Sequence, residues 1–254
     1  MSLASQRGLP GSRPEGAQNE TEAAAHVREM FGRIAPRYDL LNHLLSLDID
    51  KVWRRRVAKR FGAILHDTNA RVLDLCCGTG DLAFAFRKQA PHGAEIVGSD
   101  FVPEMLVRAR AKAQAAGVKI EFVEADALSL PFGDGSFDLV SCAFGFRNLA
   151  NYERGLLEIL RVLKPGGAVA ILEFAEPRGK MFGALYRFYF RHVLPRLGGW
   201  ISGSASAYSY LPSSVSKFPS PERLQTQFEN AGFTAVEFDR WTGGIVTLHT
   251  GRKD

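Results

Sequence analysis

The stretch RVLDLCCGTGDLA, residues 71–83, decides the fold. An apolar run ends in the turn Gly78-Thr79-Gly80, and an apolar segment of helical spacing follows it. Glycines at such a turn let the backbone approach a ligand at the start of the helix. The stretch therefore predicts the strand–turn–helix unit of a nucleotide-type binding site.

A carboxylate lies inside the predicted first strand: Asp74 precedes Gly78 by four residues. A dinucleotide site places a pyrophosphate beside the glycine turn and the helix N-terminus, where a positive field is needed. A buried carboxylate would oppose that anion and suits a cationic ligand instead. The sulfonium and ammonium groups of S-adenosylmethionine fit this requirement, so we predict a methyl-donor site.

The length and composition of the chain fit a single globular domain with a short tail. The chain has 254 residues, of which 46% are hydrophobic and 23% charged, enough for one well-packed core. We predict a disordered tail over residues 1–20, which are rich in Gly, Pro and Ser, and one domain over residues 21–254. The net charge of +5 and the pI near 9.2 are too mild to indicate a nucleic-acid partner.

The cysteines and the apolar runs indicate a cytoplasmic protein. Three cysteines, two of them adjacent, do not form a disulfide framework, and no spacing typical of a metal site is present. No apolar run reaches the ~20 residues that span a bilayer, and the N-terminus lacks a signal-peptide core. We expect a soluble protein, or at most a peripheral one at the inner face of the cell membrane. The oligomeric state stays open.

Short strands and helices alternate through most of the chain. This alternation predicts an α/β fold with a mostly parallel sheet of seven strands and helices on both faces. The last two strands are joined by residues 241–244, a connection too short for a parallel crossover, so we predict an antiparallel last strand. The predicted strands are Val72–Leu75, Glu95–Ser99, Ile120–Ala125, Phe137–Cys142, Ala168–Phe174, Ala235–Asp239 and Ile245–Thr250, with helices from Thr21 to Phe31, Ile49–Leu65, Pro103–Ala116 and Glu153–Leu163.

The alternation breaks over residues 176–219. Residues 178–200 are basic and aromatic and contain no Asp or Glu. This composition is typical of an amphipathic lid or a membrane-surface patch. A helix that packs its aromatic face on the core and exposes its arginines is an equally good interpretation.

Carboxylates end two further predicted strands. Asp100 follows strand two, where it can accept hydrogen bonds from both ribose hydroxyls, and Asp126-Ala127 follow strand three, where they can pair with adenine. The spacing Gly78-x-Gly80-x-x-Ala83 by itself also fits a dinucleotide site. Each acid could instead be a helix cap or turn residue; we consider that interpretation weak for Asp74 and Asp100, and stronger for Asp126.

The chain resembles the menaquinone/ubiquinone biosynthesis C-methyltransferases over residues 21–254. The segments that carry the resemblance are MFGRIAPRYDLLNHLLSLDIDKVWRRR (30–56), LDLCCGTGDLA (73–83), LPFGDGSFDLVSCAFGFRNL (130–149), RVLKPGG (161–167), AYSYLPSSV (207–215) and TGGIVTLHTGRK (242–253).

The resemblance implies the class I methyltransferase fold (Rossmann-like), S-adenosylmethionine as donor and a polyprenylated quinol as acceptor. It implies donor contacts at Thr79, Asp100, Asp126 and Ala127. The chain departs from the family pattern at Ala143, where some members have serine, and at Asp48, where members often have glycine.

The predicted reaction needs a group that stabilises a phenolate while a ring carbon is methylated. Arg147 and Asn148, just after strand four, are the best-placed candidates, and a surface ion pair is the structural alternative for Arg147. Tyr38, Phe146 and Tyr208 are candidates for substrate contact. Of the histidines, we interpret His249 as structural.

Demethylmenaquinol is the leading acceptor, and a methoxybenzoquinol of ubiquinone synthesis is the alternative. Ala143 in place of serine favours the first only faintly. An NAD-dependent oxidoreductase is an alternative of another class, but the chain lacks an obvious Tyr-x-x-x-Lys pair, and that function would not explain Asp74.

Overall fold

A seven-stranded sheet forms the centre of the computed structural model, which describes residues 11–12, 14, 16–39, 46, 48–177 and 205–254. The strands lie in the order β3-β2-β1-β4-β5-β7-β6. Their bounds are β1 Arg71–Leu75, β2 Glu95–Asp100, β3 Glu121–Glu124, β4 Phe137–Ala143, β5 Leu163–Phe174, β6 Thr234–Trp241 and β7 Val246–Arg252.

Strands β1 to β5 pair in parallel, and β7 lies antiparallel between β5 and β6. The predicted mixed sheet and its antiparallel last strand are confirmed. The chain reverses between β6 and β7 in a tight turn in which Gly243 and Gly244 have positive φ, which explains the short connection.

Eight helices of the described residues surround the sheet: α1 Glu20–Ile34, α2 Ile49–Arg60, α3 Gly62–His66, α4 Asp81–Gln89, α5 Pro103–Ala116, α6 Tyr152–Val162, α7 Ala205–Lys217 and α8 Pro221–Ala231. One core joins the sheet to α6 and α8 through Leu156, Leu224 and Phe228. The second core joins the opposite face to α2 and α4 through Trp53 and Phe86. Helices therefore cover both faces, as predicted.

Two local predictions needed correction. The helix predicted over Ile49–Leu65 is interrupted at Phe61, where the backbone leaves helical geometry. The helix predicted to end at Leu163 ends at Val162, and residues 164–167 belong to β5, where Gly166 has φ +77° and its N–H donates to the Lys253 carbonyl at 2.7 Å. Asp48 has φ +60°, a left-handed conformation that glycine adopts more readily than other residues.

Part of the segment 1–20, for which we predict disorder, makes defined contacts among the described residues. Ser12 is buried and its N–H donates to the Leu149 carbonyl at 2.7 Å. Asn19 caps α1 by accepting a hydrogen bond from the Glu22 N–H at 2.9 Å. The basic aromatic segment 178–200, with His192, lies outside the described residues.

Candidate active site

The main cavity lies where β1 is flanked by β2 on one side and β4 on the other. This is the switch point of the sheet, and parallel sheets bind ligands there, at the carboxyl ends of their strands. The cavity encloses about 740 Å³, including its open mouth. Its walls come from α1, the ends of β1 to β4 and the loop after β4: Ala24, Phe31, Tyr38, Cys76, Gly78, Asp100, Phe101, Val102, Met105, Ala125, Asp126, Ala127, Leu128, Ala143, Phe144, Gly145, Asn148, Leu149 and Ala150.

The two glycines of the turn after β1 are required for different reasons. Gly78 lines the cavity with φ +56°, so its backbone can approach a ligand. Gly80 has φ +89°, and a Cβ built there would lie 3.0 Å from the Phe122 ring. Packing and backbone geometry therefore require Gly80, which is not among the residues that line the cavity.

Asp100 ends β2 inside the main cavity. Its two carboxylate oxygens accept hydrogen bonds from the Gly78 N–H at 2.8 Å and the Val102 N–H at 2.9 Å. Burial raises the pKa of Asp100 to about 6 against these stabilising contacts. The backbone thus fixes the carboxylate at the cavity wall, and each oxygen keeps a lone pair for a further donor.

Asp74 points to the face of the sheet that carries α2 and α4. Its Oδ2 accepts the Ala83 N–H at 3.0 Å, in the first turn of α4, so the helix-capping role that we considered weak is real for one oxygen. In the described part of the chain no donor reaches Oδ1. Burial raises the pKa of Asp74 to about 8.

Asp74 lines a second, smaller cavity beside the main one. Arg54 from α2, Thr79 and Asp81 share its walls, and Tyr38 borders both cavities. This space therefore contains an unpartnered carboxylate oxygen together with the guanidinium of Arg54, which pairs with Asp50 and lies 3.9 Å from Asp81. Such a mixed environment suits a zwitterion better than a phosphate.

Asp126 and Ala127 line the main cavity opposite the glycine turn. Asp126 also accepts the Leu128 N–H at 2.9 Å, the turn contact that was the structural alternative. The Thr79 hydroxyl, in contrast, donates to Asp39 and accepts from the Lys112 ammonium at 3.2 Å. Lys112 also contacts Asp81 at 2.7 Å, so these side chains connect the segment that follows α1 to α4 and α5.

The loop after β4 passes close to the turn after β1. A Cβ at Gly145 would lie 2.4 Å from the Cys76 Cβ, so only glycine fits there. Cys76 and Phe144 both have positive φ, +52° and +62°. Strained backbone of this kind concentrates at functional sites. The Cys142 contact and burial raise the pKa of Cys76, consistent with an inert packing thiol.

Arg147 is buried in an ion pair, which corrects the alternative of a surface pair. Its Nη1 lies 2.8 Å from Oε1 of Glu173, a fully buried acid on β5. Burial alone would lower the pKa of Arg147, but the Glu173 carboxylate raises it. Arg147 is not among the cavity-lining residues; the guanidinium lies behind the wall that Phe144 and Asn148 form.

The remaining candidates separate into three groups. Asn148 and Tyr38 line the main cavity. Phe146, predicted to contact substrate, is instead fully buried and packs on Tyr152 and Phe218 in the core. Tyr208 lies on α7, and its side chain is outside the described part of the chain.

His249 is structural, as interpreted from the sequence. It is fully buried, its Nε2 lies 2.9 Å from the Pro221 carbonyl, and burial lowers its pKa to about 4. Sequence reasoning missed three residues near the site: Phe31 on α1, Glu173 and Tyr210. A single acid inside the apolar run AVAILEF was the available signal for Glu173.

Solved structures with the same fold define the class of protein. A methyltransferase from Aquifex aeolicus, described as dependent on S-adenosylmethionine, superposes with a TM-score of 0.57 at 20% identity, over 78% of this chain and 88% of its own. The [4+2]-cyclase SpnF superposes with a TM-score of 0.67 at 17% identity, over 98% and 99%. The fold is that of the Rossmann-like methyltransferases that use S-adenosylmethionine, and SpnF is named for a different reaction.

Sequence comparison narrows the class to a family. The model of the ubiE/COQ5 methyltransferase family matches residues 18–253, and the chain belongs to that family. Demethylmenaquinone methyltransferases from Thermus thermophilus and Deinococcus radiodurans are each 53% identical, over 87% and 89% of this chain and 99% and 92% of theirs. A ubiquinone/menaquinone biosynthesis C-methyltransferase UbiE from a Geobacter species is 45% identical over 92% and 98%. The family membership does not favour the oxidoreductase alternative.

Proposed function

We propose that this enzyme methylates a ring carbon of a polyprenylated quinol, demethylmenaquinol, with S-adenosylmethionine as donor. The observation that carries the proposal is the cavity at the switch point, which Asp100, Asp126 and Gly78 line in a chain of this family. The two relatives at 53% identity are named for demethylmenaquinone. Their identity exceeds that of the relative named for both quinones.

The residues present fit the donor. Asp100 offers carboxylate oxygens for the ribose hydroxyls, and Asp126 with the Ala127 N–H offers the pair that adenine requires. In the second cavity, the unpartnered Oδ1 of Asp74 suits an ammonium or sulfonium group, and Arg54 suits a carboxylate. S-adenosylmethionine supplies an electrophilic methyl group on a positively charged sulfur.

The enzyme's residues act on the acceptor in three ways. A quinol carbon ortho to a hydroxyl becomes nucleophilic when that hydroxyl loses or shares its proton. Asn148, at the cavity wall, donates to the oxygen, and the buried Arg147 behind it favours negative charge there at longer range. Phe31, Tyr38 and Phe144 supply apolar walls that hold the ring and exclude water.

We also propose that the enzyme contacts the membrane surface peripherally, at the inner face of the cell membrane. Among the described residues, no helix is long and apolar enough to cross a bilayer. The segment 178–200 carries five Lys and Arg side chains and no acid, and its aromatic residues suit an interface. A polyprenyl acceptor partitions into lipid, so contact at the surface would give access to it.

The acceptor is tested with purified enzyme, S-adenosylmethionine and two reduced short-chain quinones, a demethylmenaquinol and a 2-methoxy-6-prenyl benzoquinol. We expect a product 14 mass units heavier, one CH2 group, from the naphthoquinol at a higher kcat/KM. Faster methylation of the benzoquinol would assign the enzyme to ubiquinone synthesis. Methylation of neither quinol would contradict the proposal.

A further inference from the structure

The orientation of the Asn148 carboxamide is set from outside the cavity. Asn148 lies in the short turn after β4 and lines the main cavity. Its Oδ1 accepts a hydrogen bond from the Tyr210 hydroxyl at 3.1 Å. Among the described residues, no hydrogen bond engages its Nδ2, so the amide has one satisfied end and one end left to donate.

Tyr210 can hold this orientation because its own hydroxyl has a second partner. The Ser12 Oγ lies 2.8 Å from the Tyr210 hydroxyl. A phenol has a single proton, and Tyr210 uses it toward Asn148, so the Ser12 hydroxyl must be the donor to Tyr210. The chain of hydrogen bonds then runs in one direction, from Ser12 through Tyr210 to Asn148.

Residues 11 and 12 are held firmly against the same wall. The Ser12 N–H donates to the Leu149 carbonyl at 2.7 Å. A Cβ built on Gly11 would lie 2.2 Å from the Ala150 carbonyl carbon, so only glycine allows this approach. Leu149 and Ala150 themselves line the cavity beside Asn148. Residues 11 and 12 therefore pack on the wall that contains Asn148.

We propose that Tyr210 and Ser12 are positioning residues that fix the Asn148 carboxamide with Nδ2 toward the cavity, where it donates to an oxygen of the quinol acceptor. The inference rests on the proposed function. A donor fixed in advance is worth more to a developing phenolate than to the neutral hydroxyl, because hydrogen bonds to charged groups are stronger. Burial raises the pKa of Tyr210, so the phenol keeps its proton across the working pH range.

The decisive variant is Tyr210→Phe, which removes the hydroxyl and keeps the ring. We expect kcat with the demethylmenaquinol to fall about tenfold, the typical effect of one hydrogen bond that orients a donor, while the Kd for S-adenosylhomocysteine stays unchanged. Ser12→Ala should give a smaller loss of kcat of the same kind. Ser216→Ala is the matched control, because its hydroxyl bonds the Ser213 carbonyl on the solvent side of the same helix.

A double-mutant cycle separates positioning from general structural damage. In an Asn148→Ala background, Tyr210→Phe should cause no further loss of kcat, because its effect passes through the carboxamide. Additive losses, or an unchanged kcat in Tyr210→Phe, would overturn the inference. If Tyr210→Phe fails to fold, the same cycle with Ser12→Ala decides. A wild-type enzyme that methylates neither quinol would instead refute the proposed function on which the inference rests.

Discussion

At the residue scale, two carboxylates end up in positions where burial disfavours their charge. Asp74 and Asp100 accept three backbone N–H groups between them, and burial still raises the pKa of both. A buried acid with an elevated pKa is costly unless a cation or a set of donors joins it. This energetic cost supports the proposal that both residues belong to the donor site.

Replacing Asp74 by Asn should change how stability depends on pH. The pKa of Asp74 is about 8 in the folded protein, against about 3.9 in an unfolded chain. Between these values the folded state binds more protons, so the contribution of Asp74 to the free energy of unfolding falls as the pH rises from about 4 to 8. In urea unfolding without donor, Asp74→Asn should exceed the wild type in stability at pH 8, and by a smaller margin at pH 5.

Asp138 offers a control of opposite sign for this measurement. Against the effect of its partial burial, the Lys164 ammonium and the Arg71 N–H lower the pKa of Asp138. Its contribution is therefore present above pH 4 and is lost on acidification, so Asp138→Asn should reduce stability at both pH values. A difference in stability between the wild type and Asp74→Asn that stays constant from pH 5 to pH 8 would show that Asp74 is already charged in the folded protein.

Asp100→Asn should weaken donor binding strongly. The variant loses a charged acceptor, and hydrogen bonds to charged groups contribute about 1.5–3 kcal/mol, so the Kd for S-adenosylhomocysteine should rise about 10- to 100-fold. Because the pKa of Asp100 is about 6, wild-type affinity should also decline as the pH falls below 6. Calorimetry measures both effects, with the exposed turn residue Asp67→Asn as control. Unchanged affinity in Asp100→Asn would remove this residue from the site.

At the scale of elements, the ends of β4 and β5 are joined by a buried ion pair. Arg147 follows β4, Glu173 lies near the end of β5, and the pair is closed off from solvent. A buried charge that loses its partner typically destabilises a fold by about 3–5 kcal/mol. The wall that carries Asn148 thus depends on a contact that spans two strands.

We expect Arg147→Met to reduce the free energy of unfolding by about 3–5 kcal/mol, and Arg147→Met combined with Glu173→Leu to recover most of that loss. Urea unfolding measures the stability. Arg154→Met, which breaks an exposed ion pair with Glu20, should cost less than about 1 kcal/mol.

In the Arg147 variant, turnover should fall by a larger factor than the affinity for the donor, because Arg147 lies behind the cavity wall that contains Asn148. Equal loss of both would make Arg147 a purely structural residue.

At the scale of the whole molecule, the basic residues that give the net positive charge are concentrated in one segment of the chain. The net charge is +5, and residues 178–200 alone carry five basic side chains without an acid. Charge of this kind near an anionic leaflet contributes about 1 kcal/mol per Lys or Arg. The proposed membrane contact would bring the enzyme to an acceptor that partitions into lipid.

Arg187→Gln with Arg191→Gln should weaken binding to anionic phospholipid vesicles about 30-fold at low salt, because two charges of about 1 kcal/mol each are lost. Sedimentation with vesicles measures the binding, and added salt should reduce the difference between the proteins. Arg55→Gln with Lys59→Gln removes the same charge from the exposed side of α2. Equal weakening in this control would assign binding to overall charge and not to the segment.

The part of this protein that the sequence alone determines is local. Alternating apolar patterns indicated the strands, Gly78 indicated the turn, and Asp100 and Asp126 were placed at the cavity because parallel strands end at one edge of a sheet. Each of these inferences needs only neighbours in the chain and the geometry of one strand–turn–helix unit.

Only the tertiary structure decided which distant residues meet. Phe146 is core and Asn148 is cavity wall, although both lie in the same short turn. Ser12 reaches Tyr210 across 198 positions of the chain, and Tyr210 reaches Asn148 across 62. Local periodicity determines which face of an element is apolar, but the partner of a polar group depends on how separate elements pack, and packing is a property of the whole chain.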